Sequence, residues 1–149
     1  MTADMSADER YMHLALAEAR SAFDSQEVPV GCVVVCNDRI VGRGHNLTET
    51  LHDITAHAEM QAITAAEQTL GAKYLDECTM YVTVEPCVMC AGAIGWAQVR
   101  RLVYGARDPK RGFTRFAPDA LHPKCEVTAG VLEQECAALM KDFFSGLRK

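Results

Sequence analysis

Two short stretches carry residue types able to do chemistry together: "HAE" at positions 57 to 59 and "EPCVMC" at positions 85 to 90. Cys87 and Cys90 lie three apart where Pro86 suits a first helical position, so both thiols fall on one face near a helix start. Unpaired amide N–H groups there favour the thiolate that a metal requires. A redox pair is the rival reading, but a thioredoxin-like motif would follow the first strand and place Pro and Gly between its cysteines, and neither holds here. His57 falls in the first turn expected of another helix, and two helices leaving the same edge of a sheet bring their N-termini together. One imidazole and two thiolates supply three ligands of a tetrahedral zinc, leaving the fourth position open as in a catalytic site. Borderline-soft His/Cys donors with no redox requirement favour zinc over iron or cobalt. His45, His52 and His122 lie in expected loops, with no helix terminus to direct them.

Glu59 is the candidate proton carrier beside the metal. On a regular helix a residue two positions after a ligand points roughly 200° away from it, so the pairing requires His57 to occupy a distorted first turn. With that geometry, an acidified water and a carboxylate that takes and returns its proton suit hydrolytic attack on a C=N carbon with loss of ammonia.

These residues need elements to hold them. Ser6 and Glu9 form a capping box ahead of Met12, Leu16, Ala19 and Phe23 at helical spacing, which predicts a helix from Ala7 to Phe23. "VPVGCVVVC" and "RIVGRG" read as a hairpin joined at Asn37-Asp38, followed by a polar loop, "HNLTETLHD". A second helix is expected from Thr55 to Leu70, with Gly71 in the stop position. "CTMYVTVE" is a third strand leading into the helix of the two cysteines, and "RRLVYGA" is a fourth. Turn residues fill "RDPKRGFTRFAPDALHPK", a long surface loop with one short helical turn. "CEVTAGV" makes a fifth strand, and Leu132 to Leu147 a final helix. Strands alternating with helices after a hairpin predict an α/β domain of three layers around a five-stranded mixed sheet.

The 149 residues suit a single domain, 1 to 149. The N-terminus carries acidic residues rather than a basic, apolar export signal, and the longest apolar run, Val28 to Cys36, is far short of the ~20 residues of a membrane span. A soluble cytoplasmic protein without membrane contact is the expectation. Seven cysteines without a secretory signal argue for reduced thiols or metal ligands, with Cys32, Cys36, Cys78 and Cys136 expected to be buried and inert. The net charge of −5 is unevenly placed: residues 1 to 99 hold 5 Lys/Arg against 14 Asp/Glu, and residues 100 to 149 hold 10 against 6. A basic last third is where a nucleic-acid contact would lie.

The pattern H-x-E followed by P-C-x-x-C resembles that of the zinc-dependent cytidine and deoxycytidylate deaminases. The likeness runs along nearly the whole chain, through "VPVGCVVV", "GRGHN", "TAHAEMQAI", "MYVTVEPC", "MCAGAI", "VYGARDPK" and "KDFFSGLRK". It is greatest to the bacterial tRNA-specific adenosine deaminases. That resemblance implies a cytidine-deaminase-like fold, a homodimer, and conversion of adenosine to inosine at the wobble position of a tRNA anticodon stem-loop. It implies zinc on His57, Cys87 and Cys90, proton transfer by Glu59, and base recognition by Asn46 and the Ala58 amide. RNA contacts would fall on Arg107, Asp108 and Lys110, and on Phe144, Arg148 and Lys149 at the C-terminal end. Phosphate contacts and stacking on exposed aromatics are what an unpaired anticodon loop calls for. Of the adjacent Phe143 and Phe144, one should face the core and the other outward. The stretch from 111 to 124 departs from the family pattern, so no RNA contact is carried over to it. The same signature serves free-base enzymes such as guanine deaminases, which is the alternative. A zinc-binding RNA module without catalysis is a third reading, which leaves Glu59 without a purpose and would favour a fourth protein ligand.

Overall fold

Alternation along the central strands sorts their side chains into two separate cores. Even-numbered positions Cys32, Val34, Met80, Val82, Leu102 and Tyr104 pack in one cluster, and odd-numbered Val33, Val35, Tyr81 and Val103 in another. A sheet buried on both faces must be covered on both, so the layers are helix, sheet and helix. This is seen in a computed structural model that describes residues 5–147.

Helix α1 spans Ala7–Asp24, with both bonds of the Ser6–Glu9 capping box present. Strands β1 (Gly31–Cys36) and β2 (Arg39–His45) form the antiparallel hairpin, turning at Asn37 and Asp38, whose φ values of 51° and 60° are those of a tight hairpin turn. A four-residue helix α2 (Thr48–Leu51) lies in what the sequence presents as a plain polar loop. Helix α3 (Ala58–Leu70) ends at Gly71 in the left-handed conformation. Then follow β3 (Cys78–Val84), α4 (Val88–Trp96), β4 (Arg101–Ala106), the short α5 (Phe113–Phe116), β5 (Glu126–Ala129) and α6 (Glu133–Leu147).

The sheet has five strands in the order β2-β1-β3-β4-β5, with β1 antiparallel to β2 and β3, and β3, β4 and β5 mutually parallel. Because β2 and β3 therefore run in the same direction, the segments leaving them emerge at one edge. That edge receives the starts of α3 and α4. Tyr11, Met12, Ala15 and Leu16 of α1 and Cys136 of α6 cover one face of the sheet; Ala58, Ala62, Ile63 and Ala66 of α3 and Ala91 and Ile94 of α4 cover the other. Helix α3 sits close because β2 presents Gly44 to it: a Cβ there would lie 2.6 Å from the Ala58 carbonyl oxygen.

Two helix starts differ from the sequence expectation, and the difference matters for the site. Helix α3 begins at Ala58 rather than Thr55, because Asp53 accepts from both the amide (2.9 Å) and the hydroxyl (2.7 Å) of Thr55 and closes a local turn that competes with a helix. Pro86 precedes α4 instead of opening it, since Cys87 takes the cap position. Cys32, Cys78 and Cys136 are buried as expected, but Cys36, the last residue of β1, is only half-buried. Burial pushes the Cys78 and Cys136 thiols up to about 12, which keeps them protonated and unreactive. Among the described residues no helix is long and apolar enough to cross a membrane.

Candidate active site

His57 and Cys87 are the N-cap residues of α3 and α4, each with extended backbone (φ −73°, ψ 160° and φ −74°, ψ 174°). An N-cap side chain ordinarily folds back onto its own helix's amides; neither of these does. They turn toward each other instead. His57 Nδ1 lies 3.7 Å from Cys87 Sγ and 3.5 Å from Cys90 Sγ, and the three donor atoms all lie within 4.8 Å of one another. Tetrahedral angles with Zn–S of about 2.3 Å and Zn–N of about 2.1 Å would separate nitrogen from sulfur by about 3.6 Å. The donor set fits a zinc ion in both chemistry and spacing.

The cap position also resolves the direction of Glu59. His57 is not on the helix, so the angular offset of a regular turn does not apply, and Glu59 at the second helical position points into the same space. It is 3% exposed. Burial pushes its carboxyl up to about 7, against a smaller lowering by its own amide. Cys87 is held as a thiolate, lowered to about 4, by the hydrogen bond from the Cys90 thiol and by His57; Cys90, donating that bond and buried, is pushed up.

The cluster opens onto a cavity of about 510 Å³ lined by Val28, Val30, Asn46, Thr48, Ile54, His57, Ala58, Glu59, Val84, Glu85, Cys87, Met89, Asp108, Arg111 and Met140. Of the residues singled out from the sequence, Asn46, His57, Ala58, Glu59, Cys87 and Asp108 meet there, with Cys90 buried behind them. Asn46 is buried, and its Oδ1 accepts from the Thr48 amide at 3.4 Å. Asp108 Oδ1 accepts from the amides of Lys110 (3.1 Å) and Arg111 (3.0 Å), closing the turn that brings Arg111 to the cavity mouth. Arg107 is turned away and paired with Glu133 at 2.8 Å, and the Lys110 side chain is not part of the lining. Phe144 is 41% exposed beside Phe143 at 9%, the outward and inward pair expected. It lines a neighbouring groove with Ser25, Val28, Thr48 and Thr50. Arg148 and Lys149 lie outside the described residues. Sequence reasoning missed Glu85 and Arg111. The only signal for Glu85 was its place two residues before Cys87, and Arg111 sits in a loop without periodicity.

Residues 5–106 match the family model of the cytidine and deoxycytidylate deaminase zinc-binding region. The tRNA-specific adenosine deaminase of Bacillus subtilis (strain 168) is 44% identical over 150 residues, covering 97% of this chain and 93% of that protein. A solved structure from work on A-to-I editing by tRNA:A34 deaminases at the wobble position of transfer RNA matches with a TM-score of 0.82 at 44% identity, over 87% of this chain and 98% of that one. A guanine deaminase from Nitrosomonas europaea matches with a TM-score of 0.79 at 25% identity, over 95% of this chain and 86% of that one. The three-donor cluster, the buried carboxylate beside it and this extended likeness agree: the chain is a zinc-binding hydrolase that belongs to the cytidine and deoxycytidylate deaminase family, alongside the tRNA-specific adenosine deaminases.

Proposed function

We propose that residues 1 to 149 act as one domain that deaminates adenosine to inosine at the wobble position of a tRNA anticodon, with His57, Cys87 and Cys90 holding one zinc. The observation that carries this reading is Glu59, a buried carboxylate beside three metal donors at the floor of an open cavity. Zinc in such a site supplies Lewis acidity, bringing the pKa of water towards about 7. Glu59 would take a proton from the water that adds to C6 of adenine and pass it to N1 as the C6=N1 double bond opens; the remaining hydroxyl proton then goes to the amine as C6=O forms and the C6–amine bond breaks, so water is consumed and ammonia leaves. Burial raises the Glu59 carboxyl, favouring the protonated form through which it must pass. Asn46 and the Ala58 amide, both in the cavity lining, orient the base.

Arg107, Asp108, Lys110, Phe144 and Arg148 are the residues that contact the RNA. The basic surplus of the last third supports this, because phosphate neutralisation dominates affinity for RNA. The tRNA-specific adenosine deaminase at 44% identity over 97% of this chain favours tRNA over free guanine, since guanine deaminases match at 25% over 95% and at 38% over only 69% of it. The protein works as a cytoplasmic homodimer. Val88 and Trp96 support the second copy: with Gly92 between them they form an exposed apolar stripe on α4, Trp96 being 85% exposed.

The test is ammonia release by the zinc-loaded protein. The substrates are an arginine-type tRNA with adenosine at the wobble position and, separately, free guanine, adenosine and cytosine. Turnover on the tRNA alone, with inosine at the wobble position, is expected. Turnover on guanine alone would overturn the substrate and leave the metal and proton-transfer residues in place.

A further inference from the structure

Two buried carboxylates that the proton transfer does not use each hold a segment that carries cavity residues, and they are bonded alike. Glu85, 6% exposed, accepts from the Asp108 amide through Oε1 (3.0 Å) and from the amide (3.1 Å) and hydroxyl (2.7 Å) of Thr114 through Oε2. Glu27, 0% exposed, accepts from the Glu49 amide through Oε1 (3.1 Å) and from the amide (2.6 Å) and hydroxyl (2.7 Å) of Thr50 through Oε2. Each carboxylate thus binds two amides and a threonine hydroxyl of a single loop. Those loops carry cavity residues: Asn46 and Thr48 adjoin the Glu27 bonds, and Asp108 and Arg111 lie between the Glu85 bonds.

Burying a carboxylate is costly unless its lone pairs are filled, and here they are filled by groups the loop would otherwise offer to water. The fit at Glu85 is close enough that a side chain on Gly112 would run into the Glu85 carboxylate and would lie 2.5 Å from the Asp108 carbonyl oxygen. Hydrogen bonds from Thr50 and Glu49 outweigh burial at Glu27 and hold its carboxyl below the usual carboxylate range. The oxygens of both glutamates are engaged by these donors. Both determine where the residues that would touch RNA stand.

We propose that Glu27 and Glu85 are positioning residues that set the distance between the two loop walls and so the fit of the nucleotide lying between Asn46 and Asp108. The identity of that ligand rests on the tRNA reading; the bracing itself does not. The side chains of Thr50 and Thr114 are the handle, because both residues are exposed and can be changed without opening the core. Thr→Val removes only the hydroxyl bond to the buried carboxylate, whereas Thr→Ser keeps it. Glu85→Gln goes further, since a carboxamide has one acceptor oxygen and turns an NH₂ toward donors at one end of the loop.

The experiment compares Thr50→Val, Thr114→Val, their Ser counterparts and Glu85→Gln in the zinc-loaded protein. The readouts are amide hydrogen exchange, zinc content, melting temperature, and kcat and KM on an anticodon stem-loop RNA. Each Val variant should lose about tenfold amide protection in its own loop alone. It should also raise KM about tenfold while kcat stays within about threefold. Zinc content and melting temperature should be unchanged, the Ser variants should match the parent, and Glu85→Gln should exceed Thr114→Val. Wild-type exchange and KM in the Val variants would overturn the proposal, as would loss of zinc and melting temperature in step with activity. If the parent protein leaves the RNA unaltered, the tRNA reading fails, and loop exchange alone then decides the bracing.

Discussion

His57, Cys87 and Cys90 stand at the first residues of two helices pressed onto the sheet, whereas Asn46, Asp108 and Arg111 ride on loops whose shape depends on other side chains. The first group takes its position from strand direction and helix packing. The second takes its position from Glu27 and Glu85, each satisfied by its own loop. The metal wall is thus set by the scaffold and the substrate wall by loop contacts, the two meeting where the Phe113 amide donates to the Pro86 carbonyl at 2.9 Å. A guanine deaminase that matches this fold with a TM-score of 0.79 at 25% identity is consistent with such a division.

Three changes separate the two walls. Glu59→Gln should lower kcat about 10³-fold while zinc content stays full, because the carboxamide cannot carry a proton and is not a metal donor. Single-turnover kinetics with zinc assay check this, and a variant that keeps both zinc and full activity would remove Glu59 from the mechanism. A structural break should come from Gly44→Val, whose Cβ would press on the Ala58 carbonyl at the start of α3. It should cost about 2 kcal/mol by urea unfolding and weaken zinc affinity, since the backbone next to His57 must shift. Loops 46–51 and 108–114 should move less than α3 in hydrogen exchange.

The smallest effect lies at the other end of the sheet. Asp8 accepts two hydrogen bonds from Arg101 at 2.8 and 2.7 Å and one from the Tyr81 hydroxyl at 2.8 Å. The Arg101 guanidinium holds its carboxyl below the usual aspartate range. A folded pKa below the unfolded one stabilises fully above the ordinary value near 3.9 and is lost as pH falls through the lower, folded value. Asp8→Asn should cost about 1 kcal/mol at pH 7, leave kcat and KM unchanged, and differ less from the parent as pH falls below 4. Thermal melts between pH 2 and 7 measure it. A change in kcat would mean that the far end of the sheet is coupled to the site.

The strands, the long helices and the metal donors were legible because each is a local pattern. β-Branched and apolar runs mark β1, β3 and β4, the capping box marks α1, and the Cys-x-x-Cys spacing needs only one helix start to bring two thiols together. The direction of Glu59 was the hard step, since a regular first turn would have sent it away from His57; the turn at Asp53 and Thr55 shifts the helix start and removes the difficulty. Glu85 and Glu27 left no readable mark. Their partners are 22 to 29 residues away, and nothing in their immediate neighbours sets them apart from surface glutamates. Arg111 was missed for a related reason: the Asp108 turn that aims it is local, but the cavity it reaches is not.

Taken alone, the order of residues determined which groups can bind a borderline-soft divalent metal, which carboxylate is close to them in sequence, and which apolar runs build a sheet covered on both faces. Those follow from short-range spacing, which the chain carries wherever it goes. The tertiary structure decided that His57 caps its helix, that two loop walls close on buried glutamates, and that Arg107 turns to Glu133 while Arg111 faces the cavity. Such choices depend on which distant amides are left to satisfy a buried charge, a question that arises only once the chain has folded.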